Sequence, residues 1–152
     1  ASFRGVDRRF DFKIKTSRLV FLSDYAHHPA EIAQSVKSVR ELYKDKKITA
    51  IFQPHLYTRT RDFYKDFADS LSLLDEVILT EIYPAREQPI PGVSSRLIYD
   101  NLRPGIEKCI CPKEDILNLL SKKSVEVLIV LGAGDLDNYV PSITQLLEQQ
   151  SK

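Results

Sequence analysis

The chain has 152 residues, the length of one ordinary domain, and we predict that residues 1–152 form a single domain. Apolar residues make up 43% of the sequence, and the net charge of +1 excludes the strongly basic surface typical of proteins that bind nucleic acid or anionic membranes. The longest apolar run, 125–131, is far too short to span a bilayer. No export signal is visible in the sequence. Because the sequence does not begin with Met, we expect an excised domain.

Strand-like and helix-like patterns alternate from the start of the chain. Residues 9–14 alternate between apolar and polar side chains, and residues 18–23 form a β-rich run, so both are predicted strands. A helix is predicted from Pro29, which suits a first helical turn because its missing N–H is not needed there. The apolar face of this helix comprises Ile32, Val36, Val39 and Tyr43.

The remaining predicted elements continue the alternation. The predicted strands lie at 48–53, 76–82, 107–111 and 125–132, and a proline-rich loop lies at 83–95. A helix between the first two strands has Phe63, Phe67, Leu71 and Leu74 on one face, and a second helix lies at 95–101. The last two helices are marked by Ile116, Leu117 and Leu120 and by Val140, Ile143 and Leu147. This alternation predicts an α/β fold with an open, mostly parallel sheet and helices on both faces.

Polar side chains follow several of the predicted strands where each strand ends. Asp24 and Tyr25 follow one strand, His55 follows another, and the glycine-containing turn 131–135 follows the last. Ligands bind at the carboxyl ends of the strands in open parallel sheets, and these ends share one edge. We therefore expect the three histidines of the chain, His27, His28 and His55, to lie together at that edge.

Each of these features also has a structural interpretation. Asp24 can cap a helix, and His55 can be a buried, hydrogen-bonded imidazole. The turn "LGAGD" (131–135) matches neither phosphate-binding glycine pattern, so we interpret it as a close-packing turn near a ligand. Arg59 and Arg61 suit a carboxylate or phosphate, although they can also be solvated residues of a first helical turn.

Metal binding is the main alternative to the binding of an organic ligand. Cys109 and Cys111 form a C-x-C pair with no second pair to complete a zinc site. A site made by the three histidines is disfavoured, because the side chains of adjacent histidines in a turn diverge. We therefore predict no metal site in this chain.

Three motifs together resemble the C-terminal domain of a Mur ligase. They are "DYAHHPAE" (24–31), "FQPHLYTRT" (52–60) and "YPAREQPIPGVSS" (83–95). The segment "FRGVDRRF" (3–10) is similar to the family's junction between central and C-terminal domains, and "LGAGD" is similar to its last strand and turn. Within the family, "FQPHLYTRT" favours the branch that adds L-alanine.

The resemblance implies a Rossmann-like α/β sheet and an ATP-dependent ligase reaction in a bacterial cytoplasm. In the full enzyme, ATP and Mg²⁺ serve to phosphorylate the muramate carboxylate of UDP-N-acetylmuramate. The amine of L-alanine then attacks the acyl phosphate, giving an amide, ADP and phosphate. The C-terminal domain is expected to close on the enzyme's own central domain like a lid and to exclude water.

The resemblance also implies roles for individual residues. Arg9 matches an arginine that reaches the ATP phosphates, and Asp24 matches an acid that binds the nucleotide ribose. The residues that match those around L-alanine are Tyr25, His27, His55 and Arg59, with Arg59 holding the alanine carboxylate. His28 receives no chemistry, and Glu87 matches an acid whose role the sequence does not explain.

Two departures from the family pattern affect the expected site. Ser23 stands where many relatives have a second aspartate, and Leu56 stands where some relatives have an arginine near the amino acid. Alanine binding is therefore expected to depend more on Arg59.

The chain contains no G-x-x-x-x-G-K-[ST] loop, so the central ATPase domain and the uridine-nucleotide domain are expected to lie outside it. We predict that the fragment alone has no ligase activity and no complete catalytic site. The alternatives are the equivalent domain of a sister Mur ligase that adds another amino acid or a peptide, and a standalone nucleotide- or metal-binding module.

Overall fold

The computed structural model of the protein describes residues 10–151. Its strands are β1 (Asp11–Lys15), β2 (Val20–Asp24), β3 (Ile48–Phe52), β4 (Glu76–Leu79), β5 (Glu107–Ile110) and β6 (Val127–Leu131). Its α-helices are α1 (Pro29–Leu42), α2 (Tyr57–Ser70), α3 (Arg96–Asn101), α4 (Ile116–Ser121) and α5 (Val140–Gln150), with 3₁₀ turns at Lys113–Asp115 and Asp135–Tyr139. No helix in this part of the chain has the length and apolar character needed to span a bilayer.

The strands form one six-stranded sheet in the order β1-β2-β6-β3-β4-β5. β1 pairs antiparallel with β2, and every other neighbouring pair is parallel. All residues of β2, β3, β4 and β6 are buried, as expected for parallel strands covered on both faces. The prediction of an open, mostly parallel sheet is therefore confirmed.

Helices cover both faces of this sheet, as predicted. One core contains Val36 of α1 and Phe67 of α2 together with Leu22 and Phe52 of the strands. The opposite core contains side chains from α4 and α5, and the strand residues Phe21 and Ile51 point into it. The adjacent pairs 21–22 and 51–52 thus face opposite cores, because successive side chains alternate across a strand.

One predicted core position is wrong. Phe63 is 45% exposed, although its spacing placed it on the same apolar face as Phe67. The backbone of α2 is non-helical at Phe63, with φ −128° and ψ 16°, so the helical spacing is interrupted there. Leu71 and Leu74 are buried as predicted, but both follow the end of α2.

Candidate functional site at the carboxyl edge of the sheet

The carboxyl ends of four parallel strands meet at one edge of the sheet. Leu131 of β6 lies in register with Asp24 of β2 and with Phe52 of β3, and Phe52 lies in register with Leu79 of β4. The segments that leave these strands therefore emerge side by side. Each polar group discussed below is carried by one of these segments or by the helix that follows it.

The three histidines lie together at this edge, as the strand-end argument predicted. The ring centroid of His27 is 4.6 Å from that of His28 and 5.7 Å from that of His55. The ring of Tyr25 is 6.2 Å from that of His27, in an edge-on arrangement. The structure thus brings together three of the four residues predicted to surround an amino acid. The fourth, Arg59, lies in the first turn of α2, and its charge acts on His55.

The ring of His27 is held by the backbone. Its Nδ1 atom is 3.1 Å from the carbonyl oxygen of Tyr25. Since a carbonyl oxygen only accepts hydrogen bonds, this contact requires a proton on Nδ1. A neutral His27 then keeps Nε2 as a hydrogen-bond acceptor.

Glu31 fixes the start of α1 beneath the histidines. Its Oε1 atom accepts hydrogen bonds from the backbone N–H groups of His27 and His28, at 3.2 and 3.1 Å. These are among the donors that a helix start leaves unsatisfied, and Pro29 has no N–H to satisfy. The predicted helix start at Pro29 is confirmed.

Asp24 is buried and organises the turn that follows β2. The residue is 2% exposed, and its two carboxylate oxygens accept hydrogen bonds from the Ala26 N–H at 2.9 Å and from the Ser35 hydroxyl at 2.7 Å. This bonding ties the end of β2 to the middle of α1. The ribose contact expected of Asp24 stays a prediction, and Arg9, the other expected nucleotide contact, lies outside the described residues.

His55 stands on a constrained backbone between β3 and α2. The next residue, Leu56, has φ +75°, which is unusual for a residue with a side chain. The Leu56 N–H donates to the Tyr83 carbonyl oxygen at 2.8 Å, and the Tyr83 N–H donates to the Pro54 carbonyl oxygen at 2.8 Å. The ring centroids of His55 and Tyr83 are 5.4 Å apart.

Two buried nitrogen atoms at this edge have no hydrogen-bond partner among the described residues. They are Nδ1 of His55 and Nη1 of Arg59. Burial lowers the pKa of His55, and the positive charge of Arg59 and the neighbouring His27 lower it further. The pKa of His28 is also lowered, by burial first and then by Arg59. The unpaired guanidinium nitrogen of Arg59 suits a carboxylate ligand, because arginine binds carboxylates by charge-assisted hydrogen bonds.

The two arginines that the sequence grouped together have different environments. Arg61 is 51% exposed at its side chain and pairs with its neighbour Asp62, Nε to Oδ1 at 2.9 Å. Arg59, in contrast, has a buried guanidinium nitrogen. The structure therefore separates a partly buried arginine from a solvated one on the same turn of α2.

Sequence reasoning missed a buried contact that connects β3 to the turn after β6. Gln53 is fully buried; its Nε2 donates to Asp135 Oδ1 at 2.8 Å, and its Oε1 accepts from the Leu136 N–H at 2.9 Å. Gly134 packs directly against Gln53 and Tyr83. The "LGAGD" segment is thus a close-packing turn, and its paired glycines were the signal that predicted it.

A group of possible metal ligands also lies here. His27, His28 and Glu31 each have one possible ligand atom within 4.8 Å of the others. However, Oε1 of Glu31 already accepts two backbone N–H groups, and the positive charge of Arg59 acts on His28. Both effects oppose the binding of a cation by these three residues.

A sequence profile of the family described as "Mur ligase, glutamate ligase domain" matches residues 8–136, a span that includes the whole edge described above. The chain belongs to the Mur ligase family. The resemblance inferred from the three motifs, and the fold that it implied, are confirmed.

Curated members of the Mur ligase family match nearly the whole length of this chain. This chain is 77% identical over 150 residues to the UDP-N-acetylmuramate–L-alanine ligase of Phocaeicola vulgatus, and the match covers 99% of this chain and 33% of that protein. It is 55% identical to the ligase of the same name from Parabacteroides distasonis, covering 99% of this chain and 32% of that protein. The chain thus spans about a third of the length of these curated relatives.

A solved structure of the family has the same fold. The UDP-N-acetylmuramate-alanine ligase of Thermotoga maritima matches with a TM-score of 0.74 and 30% identity, over 99% of this chain and 32% of that chain.

Proposed function

We propose that this chain is the C-terminal domain of the ATP-dependent ligase that joins L-alanine to UDP-N-acetylmuramate in peptidoglycan synthesis. The matching relatives carry that name, and the chain aligns with a third of their length. In the complete enzyme, located in the bacterial cytoplasm, the domain supplies the amino-acid site and part of the nucleotide site. Mg²⁺ and most of the ATP contacts belong to the central domain.

The single observation that carries the proposal is a pair of buried nitrogens at the histidine cluster, His55 Nδ1 and Arg59 Nη1, that have no hydrogen-bond partner among residues 10–151. An amino acid offers a carboxylate and an amine, and this edge has a guanidinium for the first and imidazole acceptors for the second. Arg59 binds the carboxylate by charge-assisted hydrogen bonds. His27, with a proton held on Nδ1 by the Tyr25 carbonyl, offers Nε2 to an N–H of the amine.

The contribution of these residues to the reaction is orientation. The reaction needs the alanine amine to attack the acyl phosphate of muramate, forming the amide bond as phosphate leaves and the amine loses a proton. Holding the amine at a fixed position converts this step into an effectively unimolecular one. Closure of the domain over the site also keeps water away from the acyl phosphate.

The described residues fit only a small part of a nucleotide site. A carboxylate suits the two hydroxyls of a ribose, yet Asp24 is 2% exposed and both its oxygens already accept hydrogen bonds. We assign the ribose contact to Asp24 and a phosphate contact to Arg9 on the family resemblance, and no reaction step depends on either.

Replacing Arg59 in the full-length ligase tests the proposed alanine site. Arg59→Ala is expected to raise the KM for L-alanine about tenfold or more, with the KM for ATP within about twofold, because a buried charge-assisted contact to the carboxylate is lost. Steady-state phosphate release at varied L-alanine and ATP provides both constants. Arg61→Ala is the matched control, since Arg61 is exposed and pairs only with Asp62 among the described residues.

Equal increases in both KM values would remove Arg59 from the amino-acid site.

The same phosphate-release assay with other amino acids in place of L-alanine separates this ligase from a sister Mur ligase. A higher kcat/KM for another amino acid would contradict the assignment to the alanine-adding branch.

A further inference from the structure

The start of α2 lacks the local features that normally stabilise a helix N-terminus. Leu56 occupies the N-cap position, and its side chain has no atom that can accept a hydrogen bond. The first turn contains no acidic residue but does contain Arg59. Because the N-terminus of a helix carries partial positive charge, a cation there is electrostatically unfavourable. The α2 segment alone therefore does not explain why Arg59 is held at this point.

The missing cap is supplied from the loop that follows β4. Oε1 of Glu87 accepts the Thr58 N–H at 3.1 Å, and Oε2 accepts the Thr58 hydroxyl. These bonds from Thr58 lower the pKa of Glu87, so the carboxylate is ionised at neutral pH. The negative charge of Glu87 lies at the start of α2, where it offsets the partial positive charge of the helix N-terminus.

A short turn connects this cap to the other support of the site. The Glu87 N–H donates to the Pro84 carbonyl oxygen at 2.9 Å, closing a turn directly after Tyr83. The Tyr83 carbonyl oxygen accepts the Leu56 N–H, and the Tyr83 ring lies 5.4 Å from the His55 ring at an interplanar angle of 41°. The loop therefore contacts the segment 55–59 at both ends. Tyr83 lies against His55 at one end, and Glu87 bonds to Thr58, next to Arg59, at the other.

We infer that Glu87 is a positioning residue for the amino-acid site: it caps α2 from a distant loop and thereby fixes the guanidinium of Arg59 for the substrate carboxylate. This inference rests on the proposed function and adds an explanation of how Arg59 is kept in position. Glu87 does not itself contact substrate in this role.

The test compares Glu87→Ala and Glu87→Gln in the full-length ligase. Glu87→Ala is expected to raise the KM for L-alanine about fivefold or more, with the KM values for ATP and UDP-N-acetylmuramate within about twofold, because a lost cap frees the first turn of α2. Glu87→Gln is expected to give an intermediate KM for L-alanine, since an amide oxygen still accepts one bond from Thr58 but carries no charge. Glu81→Ala is the matched control, because the Glu81 carboxylate accepts the Lys113 N–H at 3.1 Å, on a different element.

Three outcomes would overturn the inference: an unchanged KM for L-alanine in Glu87→Ala, equal increases in all three KM values, or failure of both Glu87 variants to fold. The last two indicate a general structural role. If Arg59→Ala selectively raises the KM for L-alanine and any of these outcomes also occurs, only the role of Glu87 is rejected and the alanine site stands. An Arg59→Ala variant without a selective effect rejects the alanine site itself.

Discussion

Gly134 shows how closely single residues at the carboxyl edge are packed. A Cβ atom added there would lie 2.5 Å from Gln53 Oε1 and 2.7 Å from Tyr83 Cγ. Both neighbours are fixed, since Gln53 bonds to Asp135 and Leu136 and Tyr83 bonds to Leu56 and Pro54 through the backbone. Gly134 is therefore required for its small volume, and its φ of −96° would suit other residues.

Gly134→Ala is expected to lower the free energy of unfolding of the 152-residue chain by ~1–3 kcal/mol, the usual range for an overpacked site. Urea denaturation followed by circular dichroism measures this change. Gly92→Ala is a matched control, because a Cβ there meets nothing within 4 Å and only its φ of +80° causes strain, of about 1–2 kcal/mol. A loss at Gly134 well below about 1 kcal/mol would contradict the steric argument.

Asp75 connects three secondary-structure elements at the opposite, amino edge of the sheet. Its Oδ2 atom accepts from Arg40 Nη2 of α1 at 2.7 Å and from the Ile48 N–H of β3 at 2.8 Å, and the residue directly precedes β4. Burial alone raises the pKa of Asp75, but the hydrogen bonds from Arg40 and Ile48, together with the positive charges of Arg40 and Arg103, outweigh burial and hold the pKa below its ordinary value. The ionised carboxylate therefore stabilises the folded chain.

Asp75→Asn is expected to lower the free energy of unfolding at pH 7 by about 0.5–1 kcal/mol, a modest value because the side chain is 40% exposed. Since the folded pKa lies below the unfolded one, the stabilisation is present above about pH 4 and is lost as the pH falls through the folded pKa. Urea denaturation of both proteins between pH 7 and pH 2 measures the difference. Asp62→Asn, which removes an exposed ion pair, provides the control with little change expected. A difference for Asp75→Asn that stays constant down to pH 2 would rule out the ionised carboxylate as its source.

For the molecule as a whole, the site residues form one edge of a sheet and not an enclosed cavity. The edge offers a guanidinium, imidazoles and a tyrosine, which in the proposed function bind and orient the amino acid. The sequence contains no G-x-x-x-x-G-K-[ST] loop to hold nucleotide phosphates. In the proposed enzyme, the reacting groups therefore meet only when this edge closes on the central domain.

The purified 152-residue chain is expected to give no product from ATP, L-alanine and UDP-N-acetylmuramate, because it supplies only the amino-acid half of the site. The measurement is chromatographic detection of ADP and the alanylated nucleotide. The full-length ligase under identical conditions is the positive control. Product formed by the chain alone would refute the division of the site between domains.

The sequence by itself determined the elements and the edge at which the site lies. Apolar periodicity is a local property, so the strands, the helices and the start of α1 at Pro29 could be predicted from neighbouring residues. Parallel strands place their carboxyl ends together, so the meeting of His27, His28 and His55 followed from the same pattern. Because the family resemblance adds residue roles without geometry, the roles of Asp24 and Arg9 at the nucleotide and of the four residues assigned to L-alanine all remain predictions.

Only the tertiary structure decided which side chains act together at this edge. Glu87 bonds to Thr58 across 29 positions of the chain, and Gln53 bonds to Leu136 across 83. Such contacts depend on strand order, with β6 inserted between β2 and β3, which no local pattern encodes. The different burial of Arg59 and Arg61, and the exposure of Phe63 at a kink, likewise arise from how α2 packs on the finished sheet.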